Sequence, residues 1–450
     1  MLTGVVLSSL FKHYKEKNIA YCVLRNYEGL PNNLNSSDID ILIDKKYLSK
    51  NRDIIIDIAK QYDLIIYNDF NDERIFQFFL YKKLSNNEVF FIKIDFFIQS
   101  ELYGCCYIDN EEFLSKRKTY KDFFVVDDVN ALIDKAVYLY LLGAPIPQRY
   151  LDKSEVVIES YSEELLGRLH HILGKKHGTK LFSLLKNKDN ITRPISTFER
   201  ILILTKCFLK NPIEHCYHWP IFIFYAIKYR LFPQGELISF SGPDGCGKTT
   251  VLSIVAEFMD QAFRFTDKNL FHHRPSFLPR IANVAKKVGA ISQVDENYSE
   301  PHRAKPSGIL GSTLRLMYYL LDYQLGYFFK IRQFLRRREP VIFDRYFYDV
   351  IADCERTNIS LPQRLLTWCL LLIPKPTTSF FIDVSPDIVF QRKQELTIES
   401  IERVVKRYKK IVSLQEEFIA IGNETLPEET AVTIMDILIH RRAKKLKIND

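Results

Sequence analysis

Along MLTGVVLSSLFKHYKEKN the apolar residues recur at helical spacing, which predicts a helix near residues 2–16. The pattern then shifts to short apolar runs bounded by turn residues. IAYCVLR, DIDILI, DLIIY and VFFIKIDFF read as strands, with a helix between Lys46 and Gln61. Residues 1–127 are therefore expected to form an α+β module. From 128 to 232 the strand signal fades, and stretches such as VNALIDKAVYLYLL and SEELLGRLHHILGKK predict a helical connector. At FPQGELISFSGPDG a third pattern begins and runs through 233–450. The strands GELISFS, PVIFD, TTSFFIDV and EFIAIG alternate with helical stretches there, which predicts an α/β fold with a doubly wound parallel sheet.

A chain of 450 residues exceeds what one core usually organises, in keeping with this partition. With 47% hydrophobic and 26% charged residues it reads as an ordinary globular protein. Its formal charge of +8 is carried largely in runs such as RQFLRRREP and HRRAKKLKIND, which suit anionic substrates. No motif for sequence-specific nucleic-acid binding is present. The eight cysteines form no C-x-x-C pair and no Cys/His cluster with zinc spacing, so they read as reduced thiols, with Cys246 a small filler. The N-terminal stretch becomes charged at Lys12, too early for a signal peptide. The longest apolar runs, PIFIFYAI and LLTWCLLLIP, are too short to span a bilayer, so a cytoplasmic location is expected.

FSGPDGCGKTT contains G-x-x-x-x-G-K-[ST] from Gly242 to Thr249, between an apolar strand and a helix, which is the context the motif requires. The chemistry accounts for the residues. Glycines allow backbone N–H groups to turn inward as a cradle, Lys248 offers a point charge to the outer phosphates, and Thr249 can ligate magnesium. Gly242, Gly245, Gly247, Lys248, Thr249 and Thr250 are thus the candidate contacts to a nucleoside triphosphate, with ATP and Mg²⁺ as cofactors. PVIFDRYFYD ends a strand in Asp344, which can hold a magnesium-bound water, followed by Arg345, which can reach a phosphate. Arg392 and Lys393 lie in a charged stretch after FIDVSPDIVF that has the character of a cationic lid.

FSGPDGCGKTT, FDRYFYD and FIDVSPDIVFQRK, in that order, make residues 234–440 resemble the thymidylate kinase group of nucleoside monophosphate kinases. The resemblance implies that Asp244 approaches the acceptor, that Arg345 holds it and that Arg392 closes over the transferring group. The arginine that some members carry after the loop acid is here Gly245, so the lid must supply that charge. FHHRPSFLP replaces the glycine-rich acceptor loop of the group, with Arg274 and Pro275 at the corresponding corner and His272 and His273 either packing or touching the acceptor. The stretch 280–335 is longer than a minimal kinase needs.

SSDIDILID puts Asp38 and Asp40 on one face of a strand, and FIKIDFF puts Asp95 on another. Three convergent carboxylates would hold divalent metal. Residues 18–125 thereby resemble the minimal nucleotidyltransferase fold, although LRNYEG, with Arg25 and Asn26, stands where that fold has a Gly-Ser turn. The leading expectation is a kinase acting on a small-molecule acceptor, either a nucleoside monophosphate or a sugar or sugar phosphate, fused to a nucleotidyltransferase-like module that is active or degenerate. A main nucleotidyltransferase with the P-loop unit as ATP sensor, and a nucleotide-gated binding protein, are the alternatives. Homodimer formation is left open.

Overall fold

The computed structural model describes residues 2–34, 38–71, 75–108, 110–189, 195–210, 212–263, 265–279, 308–394 and 396–446. Residues 280–307, the first half of the long stretch noted above, lie outside them. The chain divides into two compact units: Met1–Lys82 with Phe90–Lys228 and Arg442–Asp450, and Lys83–Val89 with Tyr229–Arg441.

The first unit is built on a mixed seven-stranded sheet. Its strands are β1 (Tyr21–Val23), β2 (Ile39–Ile43), β3 (Ile65–Asn71), β4 (Ile75–Lys83), β5 (Val89–Phe97), β8 (Lys118–Tyr120) and β9 (Phe123–Val125), while β6 (Ser100–Leu102) and β7 (Cys105–Ile108) form a separate hairpin. The order is β3-β4-β5-β2-β1-β9-β8. Alternation along the strands sends Tyr21, Val23, Ile41 and Ile43 into one core, with helices Leu2–Glu16 and Leu48–Gln61. Cys22 and Leu42 point into the other, which is filled from helices Asp128–Leu142, Gln148–Leu173, Lys175–Lys186 and Thr197–Lys210. The expected helical connector is therefore no body of its own down to Lys228. It covers the second face of the N-terminal sheet, because that face is apolar and must be buried. Strand β4, absent from the sequence reading, is an apolar run broken only by Gln77, IFQFFL, which hides the alternation.

In the second unit β10 (Leu237–Ser241), β11 (Leu270–His272), β12 (Val341–Asp344), β13 (Thr378–Asp383) and β14 (Phe418–Gly422) form a parallel sheet in the order β11-β12-β10-β13-β14. All five residues of β10 are buried, as expected for a central strand covered on both faces. The chain leaves β10 to one side for β11 and β12 and returns on the other for β13 and β14. This reversal places a crevice at the carboxyl end of β10, where open α/β sheets bind ligands. The three-residue edge strand β11 is too short to carry a periodic signal, and its pairing with β12 defines it.

Candidate nucleotide site

β10 runs directly into the glycine loop, which feeds helix Lys248–Ala262. Gly245 and Gly247 hold φ of +89° and +82°, the left-handed region that suits glycine. A Cβ on Gly247 would lie 2.6 Å from Asn423 Nδ2, and one on Gly245 would lie 3.0 Å from the Val389 carbonyl. Asn423, buried at the end of β14, donates to the Cys246 carbonyl at 2.8 Å and so pins the loop from across the sheet. Cys246 is buried, which pushes its thiol up to about 11 and leaves it a neutral filler. The cradle thus fits a phosphate chain: backbone N–H groups at a helix N-terminus, no side chain in the way.

Lys248 opens the helix and is only 5% exposed, its ammonium donating to Asp344 Oδ1. The other carboxylate oxygen of Asp344 meets His272 Nδ1 at 2.9 Å. Burial works to raise the Asp344 pKa, but the bond to His272 and the charge of Lys248 outweigh it and hold the carboxyl well below its usual range. Register explains the meeting: His272 pairs with Asp344 across β11 and β12, and Asp344 with Phe240 across β12 and β10. Thr249 and Thr250 are exposed in the first turn of the helix. Thr249 and Asp344 are the residues suited to magnesium, an oxygen-seeking ion.

Asp244 sits between two arginines, one oxygen receiving Arg345 and the other Arg356. Burial opposes its ionisation, yet Arg345 and Arg356 prevail and lower its pKa. Arg345 differs from its expected role as acceptor holder. It is 5% exposed, and its guanidinium donates to the Gly242 carbonyl at 3.0 Å, to Asp349 Oδ1 at 2.8 Å and to Asp244. Its φ of +74° is a strained value for a residue with a side chain, of the sort concentrated at functional sites. Arg345 is thus held beneath the loop by these three partners, and Arg356, which no motif marked, is the partly exposed cation beside Asp244.

Arg274 is likewise engaged, donating to Asp322 Oδ2 at 2.9 Å, while the fully buried Asp322 also accepts from the backbone of Ser276 and Leu278. This pair orders the stretch after β11. Arg392, at the end of helix Pro386–Arg392, lies over the cradle: its guanidinium would be 3.4 Å from a Cβ on Gly247. Lys393 contributes to the field at Asp244.

His273 has φ of +62°, packs edge-on against Tyr319 and has a buried Nδ1 with no hydrogen-bond partner among the described residues. Burial lowers its pKa from 6.5 to about 3, so the ring is neutral in the folded protein. The unfolded chain takes up the proton first as pH falls, so stability drains away between about pH 6.5 and 3. Replacing His273 with Asn, which tolerates left-handed backbone, is expected to flatten that limb. Urea midpoints at pH 7 and pH 5 check this; an unchanged drop in the variant refutes it.

No family model matches the sequence, and a search of curated proteins finds no match. Among solved structures the chain is similar to a thymidylate kinase from Ehrlichia chaffeensis, at 18% identity over 46% of this chain and 100% of that one, with a TM-score of 0.32. It is also similar to a thymidylate kinase from Candida albicans, at 18% identity over 47% of this chain and 93% of that one, with a TM-score of 0.34. At such scores, function has to be read from the chain's own residues.

In the first unit the parallel register of β2 and β5 pairs Asp40 with Asp95. Ligand oxygens of Asp38, Asp40 and Asp95 lie within 4.8 Å of one another, on the face that helix Asp128–Leu142 covers. Arg25 Nε donates to Asp40 at 2.5 Å and its NH1 to Asp134 at 3.3 Å; Gln77 Nε2 donates to both Asp95 oxygens at 3.0 Å. The carboxylates fit a divalent cation by type and spacing, but Arg25 already supplies positive charge to Asp40, so a cation would have to compete with it. No helix among the described residues is long and apolar enough to cross a membrane.

Proposed function

We propose that the second unit transfers a phosphoryl group from ATP to a small phosphorylated acceptor, a nucleoside monophosphate or a sugar phosphate. The observation that carries this reading is the convergence of the glycine cradle, Lys248 and Asp344 at the carboxyl edge of a parallel sheet, with Arg392 over the loop. Magnesium bound with the nucleotide would neutralise phosphate charge, and Thr249 and Asp344 are the residues that would hold it. Lys248 rests on that same carboxylate and must leave it to reach the phosphates. A phosphate acceptor is already an anionic nucleophile, whereas a hydroxyl needs a base. Asp244, with its pKa drawn down by two arginines, is a weak base, which favours the phosphate. Arg356, the more exposed of the two arginines on Asp244, is the cation we assign to meet it.

The test is ADP release with a panel of nucleoside monophosphates, sugar phosphates and free sugars. A phosphorylated acceptor is expected to turn over best and dTMP poorly, because Arg274 and its partners replace a glycine-rich acceptor loop. Arg356→Ala is expected to raise the KM for the acceptor about tenfold while sparing that for ATP, the loss of one charge-assisted contact. A free sugar as best substrate would overturn the preference for phosphate, and absence of acceptor-dependent turnover would leave a nucleotide-gated binding protein as the reading.

The spacing of Asp38, Asp40 and Asp95 favours a second reading, nucleotidyl transfer by the first unit. Metal-dependent pyrophosphate release, lost on joint replacement of Asp38 and Asp40 by Asn, would support it; no release would mark that module as degenerate, with Arg25 in the place of the cation.

A further inference from the structure

Helix Pro212–Leu231 is apolar on both sides, and among the described residues only one side is covered. On its inner side His215 Nε2 accepts from the Cys106 backbone at 3.0 Å, and Trp219 and Phe222 close on Gly104, where a Cβ would lie 2.8 Å from the indole. Half a turn round, at about 100° per residue, Ile213, Tyr217, Phe224 and Ile227 fall in one line. Ile213 is 88% exposed, Tyr217 62%, Phe224 59% and Ile227 53%. The preceding helix, Thr197–Lys210, buries Ile203, Leu204 and Cys207 but exposes Phe198 and Leu209, each at 69%. Among the described residues, two successive helices thus each expose several large apolar side chains, a concentration of the kind that marks interaction sites.

The charge around it selects the occupant. Over the two helices and their junction, 197–231, the sequence has five basic residues, Arg200, Lys206, Lys210, Lys228 and Arg230, against two acids, Glu199 and Glu214, and Arg200 is turned inward to the Leu142 carbonyl. Lys206 and Lys228 are exposed, and Lys228 lies over the Phe224 and Tyr225 rings at 6.0 and 5.6 Å. A second copy of this face would oppose like charges. A bilayer surface bearing anionic headgroups offers hydrocarbon to the apolar line and negative charge to the lysines, and Tyr217 suits that boundary.

We propose that these two helices dock the protein, without spanning, on the surface of an anionic lipid membrane. Phe198, Phe224 and Ile227 enter the headgroup boundary, and Lys206 and Lys228 meet lipid phosphates.

The test is flotation of the full chain with vesicles of phosphatidylcholine alone and of phosphatidylcholine with 30% phosphatidylglycerol, a composition of roughly the anionic character such binding needs. Binding to the anionic vesicles is expected to exceed that to neutral ones by about tenfold or more and to fall with salt. Joint replacement of Phe224 and Ile227 by Ser, both exposed and so neutral to the fold, should remove it while nucleotide binding is retained. Lys228→Glu should weaken it. Failure to float with anionic vesicles, or equal binding to both, overturns the proposal, as does a dimer in sedimentation that the Ser replacements dissociate. None of these outcomes depends on which acceptor the second unit uses.

Discussion

Lys248→Ala is expected to lower ATP-dependent phosphoryl transfer by about 10²–10³-fold, the usual loss when one preorganised charge is removed from a transferring group. The sequence alone makes this lysine a projecting ammonium with little packing. The structure corrects that: Lys248 is 5% exposed and rests on Asp344. Its removal therefore also leaves a partly buried carboxylate with His272 as its remaining side-chain partner in the site. The Asp344 pKa lies below the ordinary value of 3.8, so its pairing stabilises the fold fully above about pH 4 and is lost as pH falls through the folded value. The variant should thus be less stable than the parent at pH 7, and the gap should begin to narrow as pH falls below about 4. Turnover with the best acceptor, together with denaturant midpoints at pH 7 and pH 3, measures both effects. Undiminished turnover would remove Lys248 from the chemistry and with it the kinase reading. Equal stability at pH 7 would mean that the ion pair contributes nothing to the fold.

Asp349→Ala should be the most damaging substitution for stability in the second unit, at about 3–5 kcal/mol, the cost of stranding a buried charge. Asp349 is 1% exposed and accepts four donors: Arg345 NH1 at 2.8 Å, Tyr408 OH at 2.8 Å, Ser241 Oγ at 2.6 Å and the Tyr346 N–H at 3.0 Å. Through these it ties the end of β10, the turn after β12 and helix Ile398–Val412 to one point. Alanine leaves the Arg345 guanidinium buried with a deleted counter-charge. Asp244 then remains the one carboxylate on Arg345, and Arg356 still holds its other oxygen. Urea unfolding gives the magnitude. The double variant Arg345→Met, Asp349→Ala provides the control, since removing both charges should cost less than removing Asp349 alone. If the double variant were the less stable by the full sum of the two single losses, the pair would not be coupled.

The glycine loop was legible because its residues are contiguous and each has a local reason: φ above zero at Gly245 and Gly247, and a lysine at the first helical position. Asp344 was legible because an apolar strand that ends in a carboxylate points to the sheet edge where the loop opens. Asp40 and Asp95 were legible from alternation alone, which assigns the face of a strand before its partner is known. The engagement of Arg345 with Asp244, and the places of Arg356 and Asn423, went unmarked for one reason. Their partners are remote: Arg345 meets Asp244 across 101 residues, Arg356 meets it across 112, and Asn423 reaches Cys246 across 177. An arginine after a strand-end aspartate looks the same in sequence whether it faces a ligand or a buried carboxylate.

The sequence by itself determined where the glycine cradle forms, which strands carry carboxylates and where β and α begin to alternate, because these depend on backbone conformation and side-chain period within a few residues. Only the tertiary structure decided which charges are spent on one another. It set Lys248 on Asp344, clamped Asp244 between two arginines, brought Arg25 onto Asp40 and laid the helices after Asp128 over the N-terminal sheet. Burial and register make those choices, since a charge taken from water must find a partner and the fold alone determines which one lies within reach.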